Sequence, residues 1–131
     1  MRLRRFGIWF LGLQAAGSAI WWGLLLGWPA SREPFLAQGA PDSTLLAFGA
    51  ADGLLFMATS AACAYGILSD RTWTWPLLCV HAGAAGYAGL YCWGLTIITH
   101  GDGLLGALMM SPSLVIPGIL VVGLRPRIAS C

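Results

Sequence analysis

The sequence predicts an all-α integral membrane protein, with four transmembrane helices in an up-down bundle that forms a single domain over residues 1–131. Two observations lead to this prediction. Hydrophobic residues make up 58% of the chain and charged residues only 9%, whereas soluble domains carry about 25% charged residues. The apolar residues also fall into four runs of about 18 or more, each long enough to cross a hydrocarbon core of about 30 Å.

Turn and cap residues separate the four runs. Pro29 ends the first run, the Pro41-Asp42-Ser43 turn opens the second, and Pro76 is tolerated in the first turn of the third. Backbone groups in lipid must be satisfied within the segment, and no run alternates as a barrel strand would, so each is predicted to be a helix. The predicted spans cover about residues 6–28, 44–68, 74–99 and 104–124. Pro112 and Pro117 predict a kink in the fourth.

The first span also has features of a signal peptide. Three arginines within the first five residues precede an apolar run, and the small residues 15–19 resemble a cleavage site. The run, however, continues through Trp21 and Trp22 to Leu26, which is a full spanning length. We therefore expect the segment to be retained as the first span.

The arginine distribution predicts the orientation in the cell membrane. With the N-terminus in the cytoplasm, Arg32 is the only arginine outside. The inner side then carries six arginines: Arg2, Arg4, Arg5, Arg71, Arg125 and Arg127. Because basic residues concentrate on the cytoplasmic side, and four is an even number of spans, both termini are predicted to be cytoplasmic.

Asp52 is the most informative residue, because an ionisable group at membrane depth is costly and usually faces the protein interior. Counting along the helices places it about 12 Å below the outer surface. The same count puts several polar or aromatic residues at a similar level: Trp21, Trp22, Tyr91, Cys92, Ser111 and Ser113. Two interpretations stay open, a carboxylate that binds a ligand or handles protons, and a structural aspartate that ties two helices together.

A second polar layer is predicted about 12 Å from the inner side, made of Gln14, Thr59, Ser60 and His81. His81 is either a ligand of haem, a pigment or a metal, or a hydrogen-bonded packing residue. His100 is about 28 Å away along the same helix, so ligation by two histidines would need a second subunit. Gln14 shares a helix face with Ser18 and Trp22, which favours hydrogen bonds between helices.

Tyr87 and Tyr91 lie one turn apart on the third span. Together with Trp21 and Trp22 they are candidates to line a cavity for an isoprenoid, a quinone or an acyl chain. The alternative is ordinary core packing. Small residues four apart allow close helix approach and are compatible with a dimerisation face; these are the pairs Gly23 and Gly27, Ala82 and Gly86, and Ala85 and Gly89.

Several motifs are absent from the sequence: a glycine-rich phosphate loop, HExxH, a CxxC pair and Cys-His zinc spacing. We therefore predict no metal site and no nucleic-acid partner, and we assign no cofactor. The favoured function is a non-catalytic subunit or binding module in a larger membrane assembly or homo-oligomer, surrounded by membrane lipid. The alternatives are an enzyme or carrier for a hydrophobic small molecule that uses Asp52, and a haem- or pigment-binding subunit that uses His81.

Overall fold

A computed structural model describes residues 2–125, and within this range the regular structure is entirely helical. Arg127, which the orientation prediction counts, lies outside the described residues. A 3₁₀ segment, Pro29–Phe35, follows the first of four long helices. These helices are α1 (Arg2–Gly27), α2 (Asp42–Leu68), α3 (Thr74–Ile98) and α4 (Leu104–Gly123). The all-α prediction is confirmed.

Three of these helices, α1, α2 and α4, are long and apolar enough to cross a membrane. Helix α3 has 25 residues and contains no Asp, Glu, Lys or Arg, yet it is not among the three. The mean hydropathy of α3 is lowered by its less apolar residues, which are one histidine, two tyrosines, two tryptophans, two threonines and several glycines. Spanning by α3 therefore stays a prediction.

Helix α1 begins at Arg2, earlier than the predicted start near Phe6. Arginine is a good helix former, and Arg4 has specific partners at the inner end of the protein. Its guanidinium pairs with Asp70 at 2.7 Å and donates a hydrogen bond to the Ile67 carbonyl. These contacts join the start of α1 to the turn between α2 and α3.

Helix α2 changes its hydrogen-bonding register along its length. Two short α-helical pieces, Asp42–Leu46 and Phe48–Ala51, are followed by a π-helical segment, Asp52–Ala58, and then by an α-helix, Thr59–Leu68. The sequence analysis did not predict this segment. Stretches of π-helix inside α-helices are frequent at functional sites, and Asp52 is the first residue of this one.

The helices pack most extensively as two pairs, α1 with α2 and α3 with α4. Gly89 lets α3 approach α4, since a Cβ at this position would lie 3.0 Å from Leu114 Cβ. Helix α4 runs without a break through its two prolines. The buried residues form two clusters: one contains Leu11, Cys63, Ile67, Leu78 and Leu120, and the other contains Trp22, Leu25 and Leu45.

Candidate functional site

A partly open cavity of about 500 Å³ lies among the four helices, beneath the connection between α1 and α2. All four helices contribute to its wall. Most of the wall is apolar, and its large aromatic side chains are Phe10, Trp21, Phe35, Phe48, Phe56, Tyr87 and Tyr91. The protein interior is therefore not filled at the level where the sequence places Asp52.

Asp52 is the only charged side chain among the described residues that line the cavity. Its Oδ2 accepts a hydrogen bond from Trp22 Nε1 at 3.3 Å. Gly49, one turn before Asp52, gives the Trp22 ring room, because a Cβ at Gly49 would lie 3.1 Å from ring atom Cζ3. Helix α1 thus positions the carboxylate of α2 through an indole.

The tyrosines of the wall are not packed as core residues. Tyr87 is 72% exposed and Tyr91 is 41% exposed. Phe48 of α2 contacts Tyr91 of α3 with ring centroids 5.2 Å apart. Both tyrosines therefore line the cavity while part of each side chain remains outside the packed core.

Trp21 contributes an aromatic ring to the cavity wall. The ring is held edge-on by two neighbours, Trp22 at 5.1 Å and Phe35 at 5.3 Å between centroids. Its Nε1 is buried and has no hydrogen-bond partner among residues 2–125. The ring therefore adds apolar surface to the wall, and its polar atom is enclosed by the surrounding side chains.

The connection between α1 and α2 forms a roof over the cavity, through Phe35, Leu36, Ala37 and Ala40. Arg32 anchors its first half, since Nε donates to the Leu25 carbonyl at 2.7 Å and Nη1 pairs with Asp42 at 2.6 Å. The second half is anchored by the Gln38 amide, which donates to Asp102 Oδ2 at 2.8 Å. Asp102 lies in the turn between α3 and α4, so the roof is tied to both helix pairs.

A polar network that involves all four helices lies next to the cavity. Gln14 and Ser113, which line the cavity, are joined by a 3.0 Å hydrogen bond from Gln14 Nε2 to Ser113 Oγ. Gln14 Oε1 lies 3.3 Å from His81 Nε2. The imidazole of His81 is fully buried, with Thr59 Oγ1 at 2.8 Å from Nδ1 and Ser60 Oγ at 3.4 Å from Nε2.

The hydroxyl of Thr59 fixes the tautomer of His81. Because its one proton is donated to the Leu55 carbonyl at 2.6 Å, His81 Nδ1 must donate to Thr59 Oγ1. The Nε2 atom of a neutral ring then accepts, which suits Ser60 but not Gln14 Oε1. Gln14 Nε2 is engaged with Ser113 Oγ. The neutral ring is then held by the two hydroxyl groups of α2.

Five of the eight predicted site residues line the cavity: Gln14, Trp21, Asp52, Tyr87 and Tyr91. The other three lie outside the cavity wall. Trp22 is buried behind Asp52 as its donor, and His81 lies in the polar network. Ser111 accepts from Trp93 Nε1 at 3.1 Å and donates to the Ala107 carbonyl, outside the cavity wall. Residue counting gave its level but not the side of α4 on which it lies.

Sequence reasoning missed Phe48, Phe56 and the roof residue Phe35. A helix turn below Asp52, Phe56 lines the cavity and contacts the His81 ring with centroids 5.5 Å apart. The spacing of residues 48, 52 and 56 at intervals of four was the available signal. No comparable signal placed Phe35, because the path of a connection depends on contacts distant in sequence.

Residues 2–125 contain no group of three or more His, Cys, Asp or Glu side chains that could hold a metal ion. Both ring nitrogens of His81 are already engaged. Comparison with known proteins gives no match to a family model, to a curated protein or to a solved structure. The geometry of the cavity is therefore the basis for a functional proposal.

Proposed function

We propose that this protein is an integral membrane protein that binds a hydrophobic small molecule in the cavity and orients its polar group towards Asp52. The observation that carries the proposal is the position of Asp52 in the wall of an open, largely apolar space of about 500 Å³. Gln14 and Ser113 add polar groups to the same wall. A pocket of this kind, apolar with a few placed polar groups, is typical of small-molecule sites.

The proposal includes a four-helix membrane bundle in which α3 also spans. Helix α3 packs along α4 over much of its length, and 25 residues correspond to about 37 Å of helix, enough to cross the hydrocarbon core. The arginine distribution places the N-terminus in the cytoplasm and the cavity in the outer half of the bilayer. The partly open wall then faces the lipid from which a hydrophobic ligand would enter.

Binding is favoured over catalysis by the surroundings of Asp52. Its one side-chain hydrogen bond within the described chain comes from an indole, which donates but has no lone pair to take up a proton. Acid–base chemistry would therefore depend on the carboxylate and the substrate, without help from this donor. A role as a subunit of a larger membrane assembly or as a homo-oligomer stays a prediction.

Ligand binding is testable with the neutral fluorescent probe N-phenyl-1-naphthylamine and the purified protein in non-ionic detergent. Ala88 lines the cavity and Ala61 is exposed outside its wall. We expect saturable binding that Ala88→Trp abolishes by filling the space, while Ala61→Trp, a matched change, leaves it intact. Equal binding by the two variants would overturn the proposal.

A further inference from the structure

We infer that the ligand is a monovalent organic cation, a lipophilic amine or onium ion whose charge pairs with Asp52. This inference rests on the proposed function and specifies its ligand class. The cavity combines a carboxylate, a largely apolar space and an aromatic lining in one place, whereas the smaller pocket beside Arg4 and Arg71 is lined by both arginine and aspartate.

The charge balance of the cavity points to a cation. Asp52 faces a low-dielectric space, and an ionised carboxylate there needs a positive partner. Arg32 pairs with Asp42 and donates to a backbone carbonyl. Arg4 pairs with Asp70. None of the arginines among residues 2–125 lines the cavity, so a positive charge that pairs with an ionised Asp52 there would come from the ligand.

The aromatic wall suits an organic cation in particular. Ring faces attract cations that lie within about 6 Å of the ring centre. Phe48 and Tyr91 form a pair in the wall, and Trp21 and Phe35 form another beneath the roof. An ammonium or phosphonium centre at Asp52 would therefore place its apolar substituents against these rings.

Other charged ligands fit this wall less well. A divalent metal prefers six or more oxygen ligands with several carboxylates, and the described wall offers one carboxylate. An anion would meet the charge of Asp52 without an arginine to offset it. The same wall accepts a neutral apolar molecule, so the test must separate charge from hydrophobicity.

Tetraphenylphosphonium and tetraphenylborate provide that separation, because they have nearly the same shape and opposite charge. Binding of each to the purified protein is measured by equilibrium dialysis, beside N-phenyl-1-naphthylamine as the neutral probe. We expect tetraphenylphosphonium to bind at least about tenfold more tightly than tetraphenylborate, the difference expected for one weak charge pair.

Two variants complete the test. Asp52→Asn should remove the preference for the cation, and its circular dichroism and melting temperature in detergent show that the variant is folded. Asp70→Asn changes a carboxylate at the inner end and should leave the preference unchanged. If the neutral probe binds but the two ions bind equally, the inference is wrong and the proposed function stands. If Ala88→Trp affects no probe, the proposed function fails as well.

Discussion

The indole nitrogen of Trp22 donates a hydrogen bond to Asp52 Oδ2 over 3.3 Å, linking α1 to the first residue of the π-helical segment. An indole holds a carboxylate in place without neutralising it, because the donor carries no charge. The bond ties α1 to α2, as the structural interpretation of Asp52 predicts, and the same carboxylate lies in the cavity wall.

Trp22→Phe should keep the packing of the ring and remove the donor. We expect tetraphenylphosphonium affinity to fall about fivefold, because one hydrogen bond to a charged group contributes roughly 1 kcal/mol or more. Equilibrium dialysis checks this result. Trp9→Phe is the control, since Trp9 is 72% exposed on the same helix. Equal losses in the two variants would mean that the bond to Asp52 has no role.

His81→Ala should lower the free energy of unfolding by about 2–4 kcal/mol, because it removes a buried ring and leaves polar partners unsatisfied. Thermal unfolding in detergent measures the change, and His100→Ala, at an exposed turn position, should have little effect. The absorption spectrum of the purified protein should lack a Soret band. A Soret band that disappears in His81→Ala would instead establish haem ligation.

Gly89→Ala should destabilise the contact between α3 and α4, because the added Cβ would lie 3.0 Å from Leu114 Cβ. Gly83→Ala on the same helix meets nothing within 4 Å and should be neutral or stabilising, since alanine favours a helix by about 0.5–1 kcal/mol. The melting temperature should therefore fall in Gly89→Ala and stay the same or rise in Gly83→Ala. If the two melting temperatures shift together, this close approach does not limit the packing.

Asp102→Ala should loosen the roof by removing the acceptor of the Gln38 amide. We expect faster hydrogen exchange at Gln38, measured by mass spectrometry on peptides that cover residues 35–41. The Arg32 contacts should keep the first half of the roof in place, so peptides from residues 29–34 serve as the internal control. Unchanged exchange at Gln38 would show that the bond does not restrain the roof.

Cysteine labelling tests the four-span topology. In a background without the four native cysteines, single cysteines replace Gln38, Ser69 and His100, all exposed positions. A membrane-impermeant maleimide should label Gln38→Cys and His100→Cys on intact cells, and Ser69→Cys only after permeabilisation. If Ser69→Cys and His100→Cys behave alike, α3 does not cross the membrane.

The helices followed directly from the sequence because apolar runs bounded by proline and glycine leave the backbone few alternatives in lipid. The levels of the polar residues also followed, since helix rise converts residue number into depth. In the structure, Gln14 and His81 meet across helices as neighbours in one layer. Gln14 and His81 come into contact because they lie at the same height along the helices and both face the interior of the bundle.

The sequence did not give the rotation of each helix about its axis, and this rotation decides which side chains face the cavity. Ser111 lies at the predicted level but bonds to Trp93, whereas Ser113, two residues further on, lines the cavity. The roof was missed for a related reason, because the Gln38 amide reaches Asp102 across 64 positions of sequence. Neither relationship leaves a local pattern in the residues.

The π-helical segment gives α2 one residue more per turn than an α-helix has. Helix α2 is therefore equivalent to a straight helix that has gained an inserted residue. A continuous α-helix with the same number of residues would turn the part of α2 after residue 58 by about 100° relative to the part before Asp52. The π-helical segment takes up the extra residue without this rotation, so deleting Gly53 should leave Asp52 at the cavity and Thr59 beside His81.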